Sequence, residues 1–394
     1  MFKLQDNQIF TKDSQKLKIL FINRKDYLEN LGGDTIQMLA IINNLKDKIE
    51  SSIQTDPNII EKIIDKFDIV HIFNIQRLSE TAFFVKLAKK HNKKIVISPI
   101  YADFSELEKK GRSIYYKLIK NILPKNIFNL AKDIKRVTKG LSYKTFLKEN
   151  IHNFDKLFKK TLNACDFILP NSIAEKNYLK NFVADESKIK VIKNGVDENL
   201  LSDSISASEF KKKYKINFDK FVLCVARIDE RKNILNLLKA TADDWNIKIV
   251  LIGKVYPTHK EYYKKCLEYI KPDKVIHINA TLEQKEICGA YKCAHTHALV
   301  SWLETPGLAS LEAGLFGANL VIGACDSTLE YFKNYAYFCN SNDLQSIYKA
   351  IKQSLIDERN HFKADEFIRK NYSWQKITQE YFEIYSNLVK VINK

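Results

Sequence analysis

Short, unbroken apolar runs recur along this chain at intervals long enough to hold a helix, and nothing else in the sequence restricts its fold as much. Residues 17–22 (LKILFI), 68–73 (DIVHIF), 95–98 (IVIS), 166–169 (DFIL) and 189–192 (IKVI) form one series. A second series comprises 221–226 (FVLCVA), 247–252 (IKIVLI), 275–279 (VIHIN), 297–302 (HALVSW) and 319–323 (NLVIG). A strand with one wet face alternates apolar and polar residues, whereas a run that is apolar at nearly every position must bury both faces. Helical segments between such strands imply βαβ units and parallel sheets. The pattern predicts an α/β protein with two doubly wound parallel sheets.

Two series imply two domains, which suits 394 residues. The turn signal Asn194-Gly195-Val196-Asp197 and the polar stretch LLSDSISAS place the seam near residue 200. The expected division is 1–200 and 201–375, with a basic, largely helical insertion at about 104–160. Hydrophobic residues make up 45%, with only 11 Gly and 7 Pro, which excludes collagen-like, low-complexity and disordered chains. The stretch poorest in charge, 305–325, is broken by Pro306 and four glycines and reads as no membrane span. The opening MFKLQDNQIFTKDSQ lacks the apolar core of a secretory leader, and seven scattered cysteines without a CxxC suit reduced thiols. A cytoplasmic location is the expectation.

Lys plus Arg exceed Asp plus Glu by 64 to 47, a net +17. Such charge points to an anionic partner, although a composition rich in Lys, Ile, Asn, Tyr and Phe also arises from AT-rich coding. Its distribution says more: residues 106–160 hold 15 Lys plus Arg against 5 Asp plus Glu, so +10 of the total lies there. Interleaved with that charge are Tyr115, Tyr116, Ile119, Ile122, Phe128, Phe146, Phe154 and Phe158. Two readings stand: peripheral contact with an anionic membrane at the inner face, or a helical insertion whose aromatics pack inward. No nucleic-acid motif accompanies the charge, and no nucleic-acid partner is expected.

Ligands of parallel sheets bind outside the carboxyl ends of the strands, and three such places carry chemistry. After the first strand, Gly32-Gly33-Asp34-Thr35 opens a helix where backbone amides can approach a phosphate. After FVLCVA, Arg227 and Lys232 either offer a planar fork and a mobile point charge for a phosphate or belong to a solvated charged loop. After HALVSW, Pro306 and Gly307 open a helix whose first amides, around Gly307, Leu308 and Ala309, are free to donate to an anion. Glu304 stands at the mouth of that helix and Glu312 within it, each able to accept hydrogen bonds from sugar hydroxyls. Two carboxylates beside a phosphate site need cations opposite, and Arg227 and Lys232 can supply them.

With these residues in order, nearly the whole chain, from about 17 to 390, resembles the retaining glycosyltransferases of family 4, which have the GT-B fold of two Rossmann-like domains facing across a cleft. Arg227 and Lys232 match that family's diphosphate-binding pair, Glu304 and Glu312 its two glutamates with seven residues between them, and Gly32-Gly33 its glycine loop. Trp374 in YSWQKITQEYFEIY matches a C-terminal helix, here 376–394, that commonly returns to the first domain. The resemblance implies transfer of a sugar from a nucleoside diphosphate, foremost uridine diphosphate, to a hydroxyl acceptor with retention. It implies that Arg227, Lys232 and the helix start stabilise the leaving diphosphate, Glu312 holds the ribose and Glu304 orients the donor sugar. No metal and no cofactor beyond the nucleotide sugar are implied; the acceptor is a glycan, lipid-linked or protein-linked, in the synthesis of cell-surface polysaccharide, lipopolysaccharide or another glycoconjugate. Alternatives are a nucleotide-sugar epimerase or hydrolase of the same fold and a non-catalytic nucleotide-sugar-binding partner in a glycan assembly complex.

The chain departs from the family in three ways. A basic His common in the first domain has no match; Tyr101 and Asp103 in SPIYAD are candidates for donor-sugar or acceptor contact, as is His71, which reads first as a core or cleft histidine. Ala226 stands where Gly is usual, and the loop at Asp326-Ser327-Thr328 lacks a Gly-rich start. Cys288, Cys293, His295 and His297 lack zinc-ligand spacing and read as buried packing.

Overall fold

The computed structural model of the chain describes residues 16–29, 32–101 and 154–390. Among these, strands β1 (Leu17–Ile22), β2 (Ile49–Gln54), β3 (Ile69–Phe73), β4 (Lys94–Ser98) and β5 (Phe167–Ile168) form one parallel sheet in the order β2-β1-β3-β4-β5. Strands β6 (Val222–Val225), β7 (Ile249–Ile252), β8 (Val275–Ile278), β9 (Thr296–Leu299), β10 (Asn319–Gly323) and β11 (Tyr337–Cys339) form a second, in the order β11-β10-β9-β6-β7-β8. In each sheet the chain starts near the middle and winds first to one edge and then to the other.

Burial on both faces explains the apolar runs. In the first sheet Leu20, Ile22, Val70, Ile72, Ile95 and Ile97 enter one core, while their neighbours Ile19, Phe21, Ile69, Phe73 and Val96 enter another on the opposite face. The second sheet repeats this, with Leu223, Val250 and Ile252 on one side and Val222, Ile249 and Leu251 on the other. Two strands escaped the sequence pattern because both are edges: β2 reads IESSIQ, with only Ile49 buried, and β11 is three residues with two of them half-buried. Conversely, 189–192 is not a strand. Ile189 makes an isolated bridge to Ile168, and the segment runs on as extended chain bonded through the Lys190 and Ile192 amides to Ile168 and Pro170.

The described residues fall into two compact units: 16–101 with 154–194 and 374–390, and 195–373. The helix Trp374–Lys390 belongs to the first unit, where Trp374, Ile377, Tyr381, Ile384, Tyr385 and Leu388 complete the core beneath β1, β3 and β4. Of the insertion, only its last helix, Phe154–Asn163, is described. Phe158 there is buried and meets the rings of Tyr101 and Phe182 at 5.7 and 5.0 Å. This corrects the membrane-facing expectation for Phe158, because an amphipathic helix packed on a sheet buries its aromatic stripe first. The side chains of the other aromatic and aliphatic residues named there lie outside the described residues, as does Asp103. Among the described residues no helix is long and apolar enough to cross a membrane.

Candidate functional site

In the second unit the winding direction reverses between β6 and β9, and in such sheets the crevice outside the carboxyl ends at this switch point receives the ligand. Both decisive loops leave from there. After β6 the chain makes a short 3-10 turn, Glu230–Lys232, whose start is capped by Asp229: its Oδ1 accepts the Lys232 amide at 2.9 Å. Asn233 then adopts a left-handed conformation, φ 59°, and its buried amide donates to the carbonyls of Val300 and Ser341 at 3.0 and 2.8 Å. The Trp302 amide donates to the Arg231 carbonyl at 2.9 Å. These bonds pin the loop after β6 against the loop after β9.

The consequence is a buried ion pair. Lys232 Nζ lies 2.5 Å from Glu304 Oε1, with both side chains largely shielded from water. Burial by itself pushes the Glu304 carboxyl up, but the charges of Lys232 and Arg231 outweigh it and hold Glu304 below the usual carboxylate range. Lys232 is lowered, chiefly by burial, with Glu304 offsetting part of the shift. The expectation of cations facing two carboxylates thus resolves unequally. Lys232 is matched to Glu304, while Arg227, just past the strand end, is 43% exposed with its Nε 3.8 Å from Asp229.

The helix Leu308–Leu315 starts just after the expected Pro306-Gly307 opening, because Gly307 is its N-cap with φ 95°, in the left-handed region that a side chain disfavours. Helix geometry leaves the amides of Leu308 and Ala309 without intrahelical acceptors, while those of Ser310 and Leu311 return to the Gly307 carbonyl at 2.9 and 3.3 Å. Pro306 precedes that cap, and Glu304 lies on the approach to it. Glu312, one turn in, accepts the Tyr291 hydroxyl at 3.1 Å. Burial raises its carboxyl to about 7, with the bonds from Tyr291 and Gln284 opposing the shift. Tyr291 and Asn233 were not singled out in the sequence, and neither has a local signal: each acts on a partner far along the chain.

In the first unit Gly32 is the N-cap of the helix Gly33–Leu45, and a Cβ there would meet Asp34 Oδ1 at 2.5 Å. Asp34, in the first helical turn, receives Arg24 Nε at 2.7 Å, an arrangement the sequence analysis missed. His71 is a packing residue rather than a candidate for substrate contact: it is fully buried, and its ring nitrogens lie 2.7 Å from the Tyr385 hydroxyl and 3.0 Å from Ser98 Oγ. Burial lowers it to about 3, so it stays neutral and locks the helix Trp374–Lys390 to β3 and β4. Tyr101 stacks on Tyr178 at 4.2 Å and donates to its hydroxyl at 2.7 Å, so its ring serves an aromatic cluster. Among the described residues no group of three or more His, Cys, Asp or Glu is placed to hold a metal ion.

Residues 206–374 match the family Glycosyl transferases group 1. Two uncharacterised glycosyltransferases of Methanocaldococcus jannaschii are similar to the chain. One is 27% identical over 251 residues, 60% of this chain and 62% of that protein; the other is 23% identical over 265 residues, 62% and 65%. The chain therefore spans less than two thirds of the length of either relative. Among solved structures, the Anabaena HepE protein in complex with UDP and glucose is similar with a TM-score of 0.68 and 15% identity, covering 94% of this chain and 100% of that one. Sucrose-phosphate synthase from Thermosynechococcus elongatus is similar with a TM-score of 0.70 and 15% identity, covering 95% and 100%. The architecture is that of the GT-B glycosyltransferases: two α/β units, each built on a parallel sheet.

Proposed function

We propose that the chain transfers a glycosyl group from a nucleoside diphosphate sugar, foremost a uridine diphosphate sugar, to a hydroxyl acceptor, with retention and without a divalent metal. The observation that carries this reading is the Lys232–Glu304 ion pair at the β6/β9 switch point, beside a helix N-terminus and the exposed Arg227. The match of residues 206–374 to a glycosyltransferase family supports it, as does the fold shared with the UDP-bound HepE protein.

In this reading the amides at the start of the helix Leu308–Leu315 and the guanidinium of Arg227 bind the diphosphate, whose charge grows as the bond from the anomeric carbon to its oxygen breaks. Lys232, held against Glu304, adds its charge to the same place. Glu304 accepts donor-sugar hydroxyls and Glu312 the ribose diol. The acceptor oxygen bonds to the anomeric carbon, and its proton passes to the departing phosphate oxygen on the same face, which retains the configuration. The acceptor is a glycan, lipid-linked or protein-linked, in cell-surface glycoconjugate synthesis. Calorimetry with uridine diphosphate, with and without chelator, is expected to give the same affinity in both. Failure to bind any nucleoside diphosphate, or binding only with magnesium, overturns the proposal.

A further inference from the structure

The two carboxylates of the second unit's site are supported by different chemistry. Glu304 has the Lys232 ammonium against it. Glu312 has no ion-pair partner among the described residues and is supported by neutral groups, the Tyr291 hydroxyl and the Gln284 amide. The last torsion of a glutamate side chain is broad, without a narrow well to hold the plane of the carboxylate. A neighbour has to set that plane.

Tyr291 is placed to do so. It stands in the last turn of the helix Gln284–Cys293 and is fully buried, with its ring stacked on Phe316 at 6.0 Å and edge-on to His297 at 5.9 Å. Its hydroxyl donates to Glu312 Oε2 at 3.1 Å. Burial, with Glu312 beside it, pushes the phenol well above its usual range, so the proton stays and the group remains a donor. Cys288, one turn earlier on the same helix, is pushed up to about 12 by burial and stays a neutral thiol that brings no rival charge. Gln284, by contrast, is exposed at the helix start, and its amide also lies 3.9 Å from Cys288 Sγ. That side chain can yield its place to a ligand, whereas the packed phenol cannot.

An ionised carboxylate offers about four lone-pair sites on its two oxygens. The phenol takes one of those on Oε2, which leaves Oε1 among the others for the two O–H groups of a vicinal diol, and Glu312 keeps enough exposure for a ligand to reach it. We infer that Tyr291 is a positioning residue for the donor's ribose: it touches no substrate, and by holding Glu312 Oε2 it sets the carboxylate to accept the 2′ and 3′ hydroxyls together. The inference rests on the proposed function for the ribose at Glu312.

The test is calorimetry with uridine diphosphate and with 2′-deoxyuridine diphosphate, on the full chain and on its Tyr291→Phe variant. The wild type is expected to prefer uridine diphosphate about tenfold or more, the worth of a hydrogen bond to a charged group. In Tyr291→Phe, uridine diphosphate should weaken about tenfold and the deoxy form by no more than about threefold, so the preference shrinks. A tyrosine that serves packing alone would weaken both nucleotides alike and leave the preference intact, and that result overturns the inference. A second background guards against a folding defect. In Glu312→Gln, which carries no charge at that position, adding Tyr291→Phe should cost less than about twofold in uridine diphosphate affinity. A further loss of about tenfold there likewise overturns the inference. Failure of the wild type to bind uridine diphosphate overturns the proposed function, and failure to prefer it over the deoxy form overturns the ribose assignment; a preference that survives Tyr291→Phe overturns the inference alone.

Discussion

At the scale of single residues, the Lys232–Glu304 pair is worth most through the cost of breaking it. Removing one partner leaves the other charged and buried, a loss of about 3–5 kcal/mol. Lys232→Met is expected to lower stability by that amount in urea unfolding, and Lys232→Met combined with Glu304→Gln to lose clearly less than the sum of the single changes. Additive losses would mean that the two groups do not interact. In kinetics the two carboxylates should separate: Glu304→Gln chiefly lowers kcat, whereas Glu312→Gln chiefly weakens donor binding. Wild-type rates in both variants would contradict the site. Glu312 adds a pH dependence, because burial raises it from 4.5 to about 7. A group with a raised folded-state value contributes stability that is whole below 4.5 and is lost as pH rises through about 7. Donor binding runs the other way, since the hydroxyl-accepting carboxylate forms over that range. Calorimetry should show uridine diphosphate binding tighter at about pH 8 than at about pH 6, and Glu312→Gln should flatten the dependence. Of this site the four charged residues were legible as residue types in the loops after strands and in the helix that follows, but the match of Lys232 to Glu304 rather than to an open phosphate site was not.

Among the elements, the helix Ile234–Ala240 shows how a buried charge can be structural. Lys274, 2% exposed, donates to the carbonyls of Thr241, Ala242 and Asp244 at 2.7, 2.9 and 2.7 Å, just past the helix end. It satisfies the carbonyls of the C-cap and of the turn that follows the helix, and its charge suits the negative end of the helix dipole. Lys274→Met leaves those carbonyls without their donor and is expected to cost about 2–4 kcal/mol in urea unfolding. A loss below about 0.5 kcal/mol, the size of an ordinary surface change, would show that water replaces the ammonium without penalty. The helix Trp374–Lys390 uses a neutral version of the same logic, with Tyr385 on His71 and the Tyr381 hydroxyl accepting from Gln37 at 2.6 Å inside an apolar core. A histidine on a central strand reads first as packing, and the helix brought across it supplies the partner that the sequence does not name.

For the whole molecule, the return of the last helix to the first unit makes a long-range dependence testable. Its six buried apolar side chains each stabilise the fold by about 1.5–3 kcal/mol, a sum comparable to the roughly 5–15 kcal/mol stability of a domain. A chain ending at Ser373 should therefore lose amide-exchange protection in β1, β3 and β4 while keeping it in β6, β7 and β9. Protection retained in β1 and β3 would show that the helix is dispensable. What the sequence by itself determined is the pair of parallel sheets, because burial on both faces is written in consecutive residues, and the strand ends after which the candidate site residues stand. It did not reveal β2 or β11, whose edge positions remove the demand for apolar residues, nor that 189–192 pairs only once. Partnership was decided by tertiary structure alone. Glu304 meets Lys232 across 72 positions and Arg77 meets Asp26 across 51. Such pairs form because strand order sets distant loops side by side, and the local periodicity of a sequence carries no record of that order.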